Sequence, residues 1–502
     1  MRLGWPGGRR VGMAAGCGLL IAAGQAPVGA WYLAVPGLAG LIWLTGLAQN
    51  ARAAGWTGLF GAAAGFAASL SWLVEPFLIE PEIYGWMAPF ALLGMAFGLA
   101  LFWAAAAMLA HWLCRPAPQQ TALMFAVMLA AAELLRGYVF TGFPWASIGH
   151  IWVATPMAQL AAYGGAPGLT LLTTLAAAVA AGGVVRGLAG GGVAALLLVA
   201  GWGAGLLVLA QPDPPAPAVT LRLVQPNAAQ ALKWDADQAD IYFRRQLAYT
   251  AVKPAPDLVI WPETALAYSL ERDPQLAAII AGAAGGAAVA LGLQRRDGPL
   301  YFNSMAVINE GGAIIARYDK HHLVPFGEYI PFGDLAYQWF GLKAFAARTG
   351  YGYAPGPGPA TLDLGAKLNA KLGKMLPLIC YEAVFPQDLR GTARPGWILQ
   401  ITNDAWFGTL TGPFQHAAQA RLRAIEQGLP LVRVANTGVT AVYDARGRVT
   451  ASLPFGVAAY LDAPLPGPLP ATPYARFGEG PVLLLLAGLG LGLLARRRRR
   501  PA

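Results

Sequence analysis

The chain has 502 residues, of which 56% are hydrophobic and only 12% charged, a balance too apolar for a water-soluble protein and indicative of a membrane protein. Its net charge of +10 does not point to nucleic acid: between Pro217 and Leu465, 22 Lys/Arg stand against 19 Asp/Glu, and the run Arg496 to Arg500 carries half of the excess. Cys17, Cys114 and Cys380 lie far apart without CxxC spacing, which excludes a disulfide framework or a cysteine-rich metal site.

Apolar segments long enough to cross roughly 30 Å of hydrocarbon are expected near 11–26, 30–48, 56–74, 86–113, 119–135, 156–185 and 191–210, with an eighth over 481–495. Arg2, Arg9 and Arg10 before the first segment give it the look of a signal peptide. Further spans follow, so it reads as a retained helix. With the N-terminus in the cytoplasm, Arg2, Arg9, Arg10, Arg52, Arg115, Arg186 and Arg496 to Arg500 all fall inside, while Glu75, Glu80, Glu82, Glu133, Asp213 and Glu479 fall outside. Only Arg136 and Arg476 are exceptions. This is the positive-inside bias; it predicts a membrane domain over 1–210, an outer domain, and both termini in the cytoplasm. The Arg-rich tail 496–502 then reads as a topology anchor touching lipid headgroups, with no nucleic-acid partner.

Gln211 to Pro217 (QPDPPAP) is a stiff extended linker. Beyond Val219 the texture changes to short apolar runs, expected as strands in VTLRLVQ, DLVIW, AAVALGL, NSMAVIN, IIARYD, MLPLIC, WILQIT, LVRVAN and TAVYD. Helices are expected over 235–252, 274–284 and 414–427. Strands alternating with helices predict an α/β layered domain over 217–465, closed by the Pro-rich stretch 464–473.

Three expected strand ends carry ionisable residues. Glu263 follows Leu258 to Trp261 and Pro262, which stops the ladder. A carboxylate there is partly desolvated and suits a general base; it equally suits a helix N-terminal carboxylate. In YDKHHLVPFGEYIP (318–331), Lys320 can offer a fixed charge to a developing oxyanion, and Glu328 can hold that lysine. His321 and His322 are adjacent, so on an extended chain they point to opposite sides, and with no third ligand in view no metal site is expected. Cys380 ends the strand MLPLI and precedes Tyr381 and Glu382. It reads as a nucleophile held at a cleft or as a buried structural thiol.

WPET (261–264), YDKHHLVPFGEYIP and ICYE (379–382) together resemble the Glu-Lys-Cys pattern of the nitrilase superfamily, and KHHLVPFGEY on a membrane-embedded chain resembles its apolipoprotein N-acyltransferase family. Further matches are Lys233-Trp234, Tyr301 to Ser304 (YFNS), Asn403 to Gly408 (NDAWFG) and Arg433 to Gly438 (RVANTG). In the apolar half, Glu133 to Gly137 (ELLRG) and Thr141 to Trp145 (TGFPW) are similar to the family's periplasm-facing segment.

The resemblance implies an αββα nitrilase-like domain on a base of about eight transmembrane helices in a bacterial inner membrane, with the catalytic domain in the periplasm. It implies a ping-pong acyl transfer needing no cofactor. Cys380 attacks the sn-1 ester of a phospholipid donor, typically phosphatidylethanolamine, giving a thioester. The α-amino group of a diacylglyceryl-cysteine at an apolipoprotein N-terminus then takes the chain. By position, Glu263 is the general base, Lys320 the oxyanion stabiliser and Glu328 the supporting carboxylate. Trp234, Tyr381 and Glu382 lie beside the reacting groups, with Asn303 a further supporting residue. Leu335 to Tyr353, rich in aromatics and glycine, reads as a mobile lid over the thioester or as an ordinary packed excursion. Two other functions remain open: a membrane-tethered amidase for small amides, and a transporter with an outer binding domain.

Overall fold

The computed structural model describes residues 7–114, 117–186, 189–268, 270, 273–331, 344, 352–390 and 393–498. The proposed lid lies almost wholly outside them, as does most of the Arg-rich tail. The chain divides into two units, one taking residues through Gln211 with Leu410–Ala418 and the stretch from Ala471 onward, the other Pro212–Thr409 with Gln419–Pro470.

The first unit is helical. Long helices occupy the expected stretches: Gly8–Ala22, Trp31–Gly46, Ala51–Ser69, Ala88–Cys114, Pro118–Leu135, Ala161–Arg186, Ala189–Leu209 and Gly480–Arg498. Among the described residues, four segments are long and apolar enough to cross a membrane: Pro81–Cys114, Pro118–Leu135, Pro156–Gly182 and Gly190–Leu209. Ala51–Ser69 and Ser71–Leu78, bent by 48°, pass the same test only as a pair, as one broken span or a re-entrant loop. Eight spans were expected from composition, but Trp31–Gly46 is shorter, reaching about 24 Å at the α-helical rise. Leu196 and Leu207 of the 189–209 helix are two-thirds or more exposed, a face for lipid rather than water. Small residues let these helices close on one another: a methyl group on Gly18 would stand 1.9 Å from the Gly61 carbonyl oxygen, so the two backbones touch.

Arg136, one of the two exceptions to the charge bias, proves to be internal. Its guanidinium is buried, with Nε donating to Glu133 Oε1 at 2.8 Å. Trp103 Nε1 donates to the same oxygen at 2.8 Å.

The second unit holds two sheets, of order β11-β1-β2-β3-β4-β5 and β10-β9-β8-β7-β6. The strands are β1 Thr220–Gln225, β2 Leu258–Ile260, β3 Ala288–Asp297, β4 Leu300–Ile308, β5 Ile314–Asp319, β6 Met375–Ile379, β7 Trp397–Thr402, β8 Leu431–Ala435, β9 Ala441–Tyr443, β10 Val449–Ser452 and β11 Ala459–Pro464. Helices Ala236–Thr250 and Pro274–Ala284 cover the first sheet, where Phe243 and Ile280 pack on Val259, Val289 and Leu291. Ala420 and Ala424 of helix Gly412–Gln427 cover the second, against Leu376, Ile398 and Leu431. The sheets meet through β1 with β8 and β4 with β6, giving the α/β sandwich that the strand–helix alternation predicts. Strands β10 and β11 were not foreseen. The sequence AYLDAP has weak strand propensity, and β11 exists because its whole length pairs antiparallel with β1, from Thr220↔Pro464 to Gln225↔Ala459.

Strands β1, β2 and β3 run parallel, and two antiparallel steps return β5 to their direction. In the other sheet β6, β7 and β8 are parallel. Glu263, Lys320, Cys380 and Asn403 each follow the carboxyl end of one of these strands, the edge at which open α/β sheets hold ligands.

Candidate active site

After β2 ends at Ile260, Trp261 and Pro262 carry the chain into a turn bearing Glu263. Thr264 then adopts φ +47°, a left-handed conformation costly for a β-branched residue. The turn fits only because β3 has a glycine beneath it: a methyl group on Gly292 would stand 2.5 Å from the Pro262 carbonyl oxygen and 2.6 Å from the Glu263 Cα. Gly292→Ala should therefore displace the carboxylate, lowering stability by about 2 kcal/mol and turnover by roughly 10²-fold. Thermal unfolding and single-turnover kinetics check this.

The Glu263 side chain is buried. Its Oε1 accepts from Asn303 Nδ2 at 2.7 Å and its Oε2 from the Asn403 main-chain N–H at 2.8 Å. Burial raises its carboxyl above the usual range, with the nearby Glu328 carboxylate acting the same way and Lys320 opposing. Lys320, 1% exposed, follows β5. Its main-chain N–H donates to the Asn303 oxygen at 2.8 Å, and its oxygen accepts from Gly356 at 2.8 Å. The ammonium donates to Glu328 Oε1 at 2.9 Å and lies 3.8 Å from Glu263 Oε1. Burial disfavours this charge, yet Glu328 and Glu263 outweigh it and hold the lysine above its ordinary pKa. Glu328 is fixed in turn by Asn303 Nδ2 at 3.0 Å and the Val324 N–H at 2.9 Å. Asn303 thus donates to both carboxylates.

Cys380 begins a tight 3-10 turn immediately after β6, with φ +52°. Such a left-handed non-glycine residue stores strain of the kind found at functional sites. Gln400 Nε2 donates to its carbonyl oxygen at 3.0 Å. Burial, together with the Glu263 carboxylate, pushes the thiol well up, while Lys320 and a hydrogen bond with Thr402 pull it down. At neutral pH the resting thiol keeps its proton.

Glu263, Lys320, Glu328 and Asn303 therefore form one buried cluster, of which Glu263 and Lys320 act electrostatically on Cys380. The other expected residues have contacts of their own. Glu382 is fully buried, but its carboxylate binds the strand end and the following loop: Oε2 accepts from the Ile379 N–H at 2.7 Å, and Oε1 from the His321 N–H and the Tyr318 hydroxyl, both at 2.8 Å. It ties the Cys380 turn to the loop that starts at Lys320, rather than joining the lysine cluster. Tyr381 is buried edge-on against Phe385, with ring centroids 4.8 Å apart. Trp234 lies half-buried in the loop between β1 and the 236–250 helix.

The two histidines do not part as on an extended chain, because the backbone turns after Lys320. His321, His322 and Asp388 bring one ligand atom each within 4.8 Å of one another, so the third group unseen in the sequence is Asp388. They are already joined, with His322 Nδ1 2.9 Å and His321 Nε2 3.4 Å from Asp388 Oδ2. Burial works against the His321 charge, but Asp388 and Glu382 raise its pKa to about 9.

Sequence reasoning missed Gln400 and Thr402, and it marked Asn403 and Lys233 only as family matches without a role. A polar pair, Asn403-Asp404, at the end of the apolar run WILQIT was the available signal. Asp404 forms a fully buried ion pair with Arg433 at 2.9 Å. That pair leaves room only for a glycine at 438, where a methyl group would stand 1.9 Å from the Asp404 carboxylate.

A buried thiol, a carboxyl of raised pKa and a cation held by carboxylates can together perform nucleophilic acyl chemistry. In such chemistry a carboxylate can take a thiol proton and an ammonium can meet an oxyanion.

Residues 17–179 match the family model of the apolipoprotein N-acyltransferase N-terminal domain, and residues 220–465 that of carbon-nitrogen hydrolase. The chain is 39% identical to an apolipoprotein N-acyltransferase of Caulobacter vibrioides, over 93% of this chain and 91% of that one. The protein of the same name from Sinorhizobium fredii is 38% identical over 90% and 89%, and that from Rhodopseudomonas palustris 36% identical over 99% and 96%.

Proposed function

The chain belongs to the apolipoprotein N-acyltransferase family, and on that premise we propose that it moves the sn-1 acyl chain of a membrane phospholipid to the N-terminus of an apolipoprotein through a thioester on Cys380. The observation that carries this reading is the Lys320 ammonium held between the Glu328 and Glu263 carboxylates, in a cluster that acts on a buried thiol.

In the first half-reaction the Cys380 Sγ attacks the ester carbonyl while Glu263 takes the thiol proton. The tetrahedral oxyanion gathers charge opposite Lys320. Its collapse breaks the ester C–O bond, and Glu263 returns the proton to the departing glycerol oxygen, releasing a lysophospholipid. In the second half-reaction the α-amino group of the diacylglyceryl-cysteine attacks the thioester carbonyl. Glu263 accepts the amine proton and passes it to the departing thiolate, leaving an amide. Both lipids reside in the bilayer that the apolar helices occupy, and an ester donor already carries the activation that the amide requires. No external energy source is called for. Phosphatidylethanolamine is the proposed donor and the periplasm the proposed side of the catalytic unit, following the segregation of loop charge.

The test supplies the full-length protein with a phospholipid labelled in its sn-1 chain. Label should appear on the Cys380 peptide and be released by neutral hydroxylamine. A preparation that transfers acyl chains without ever carrying thioester label refutes the mechanism.

A further inference from the structure

Lys233 takes no part in the chemistry above, yet it is 6% exposed, and lysine is almost never buried without a partner. It sits in the loop between β1 and the 236–250 helix. That loop is pinned from below: Asn436 Oδ1 accepts from the Ala228 N–H at 2.9 Å, and Gln230 Oε1 accepts from Asn403 Nδ2 at 2.7 Å. Among the described residues no carboxylate forms a salt bridge with Lys233. Its Nζ instead donates to the main-chain oxygen of Glu263 at 3.2 Å, in the turn that carries left-handed Thr264 and crowds Gly292. Tyr242, Gln246, Thr264 and Asn436 line a small cavity with it.

The charges near the thiol give this contact a purpose. Glu263 and Glu328 are two buried carboxylates, and Lys320 neutralises one of them. A second cation makes the cluster electroneutral, and Lys233 is the one that acts on Glu263. We propose that Lys233 is a positioning residue for Glu263, anchoring its turn through the main chain and supplying the second positive charge that keeps its carboxylate ionised. The inference rests on the reading of Glu263 as the general base.

The groups acting on Glu263 are Lys320, Glu328, Lys233 and the neutral amide of Asn303, with the Asn403 N–H. The charged group acting on Lys233 is Glu263, and burial, only partly opposed by Glu263, brings the ammonium down to about 8. Lys233 is therefore cationic at neutral pH. Removing it raises the pKa of Glu263, so the base is lost at a higher pH as the solution is acidified. Lowering pH should silence a neutral variant before it silences the wild type.

The experiment uses full-length protein in lipid with the sn-1-labelled phospholipid, measuring the initial rate of thioester formation on Cys380 across pH. Lys233→Met and Lys233→Gln should each shift the acid limb up by about one pH unit, a roughly tenfold rate loss below it. Lys233→Arg should return the limb toward its original position. Thermal unfolding identifies which variants fold, and either neutral substitution suffices. A neutral variant whose rate falls equally at every pH, or whose limb coincides with the wild type's, overturns the proposal and leaves Lys233 a packing residue. If the wild type itself takes no label, the acyl-transfer reading fails instead, so the two failures are distinct.

Discussion

Replacing Cys380 with alanine should reduce acyl transfer by roughly 10⁴-fold or more while the protein stays folded. The size follows from the role of the thiol, because loss of a nucleophile in a concerted site removes nearly all of the chemical acceleration. The folded state should survive because alanine adopts the same left-handed turn at φ +52° at a similar strain. The Gln400 side-chain amide bonds the main-chain carbonyl of residue 380, a group the substitution leaves in place. Loss of one buried sulfur should cost about 1 kcal/mol, read as a small drop in unfolding temperature. Transfer of label from phospholipid to apolipoprotein at near wild-type rate by Cys380→Ala would rule out the thioester route.

Lys320→Met should be the more damaging change to the fold. The wild-type ammonium contacts two carboxylates, at 2.8 Å to Glu328 and 3.8 Å to Glu263, and all three side chains are almost inaccessible. Removing one member of a buried ion cluster strands the others, a loss of about 3–5 kcal/mol. Burial already raises the Glu263 carboxyl, and without the ammonium that opposes this its folded-state pKa stands further above its unfolded value. Between those values the folded state binds more protons than the unfolded one, so stability falls as pH rises through that interval. The deficit should be largest at neutral and alkaline pH and should shrink as acid protonates Glu263. Adding Glu328→Gln to Lys320→Met should recover part of the loss, though not the activity. An unfolding midpoint for Lys320→Met equal to the wild type's at pH 7 would show that the three charges are not coupled as their geometry implies.

Much of this protein was legible without coordinates, because the signals are local. Apolar runs mark helices, and strand ends carrying Pro-Glu, Asp-Lys and Cys-Tyr-Glu mark an edge where ionisable groups collect. Periodicity and turn chemistry act within about ten residues of chain, so they survive in a linear reading. Span length was less secure: an apolar segment of 16 residues and one of 20 look alike in composition, yet only the longer covers the hydrocarbon.

Only the tertiary structure decided what depends on contacts between distant residues. The Asn403 N–H reaches Glu263 across 140 positions of sequence, and β11 meets β1 across 240 at Arg222↔Asp462. Arg136, which broke the pattern of loop charges, is neutralised by Glu133. Asp388 draws together two histidines that their adjacency would separate, and Lys233 turns inward to the Glu263 carbonyl. Whether a polar group is exposed, paired or stranded is set by what the closed chain brings beside it. For Cys380 the sequence determined that a thiol ends an apolar strand. The structure determined its left-handed turn, its burial and the charges around it, because those come from two sheets meeting and not from the residues on either side.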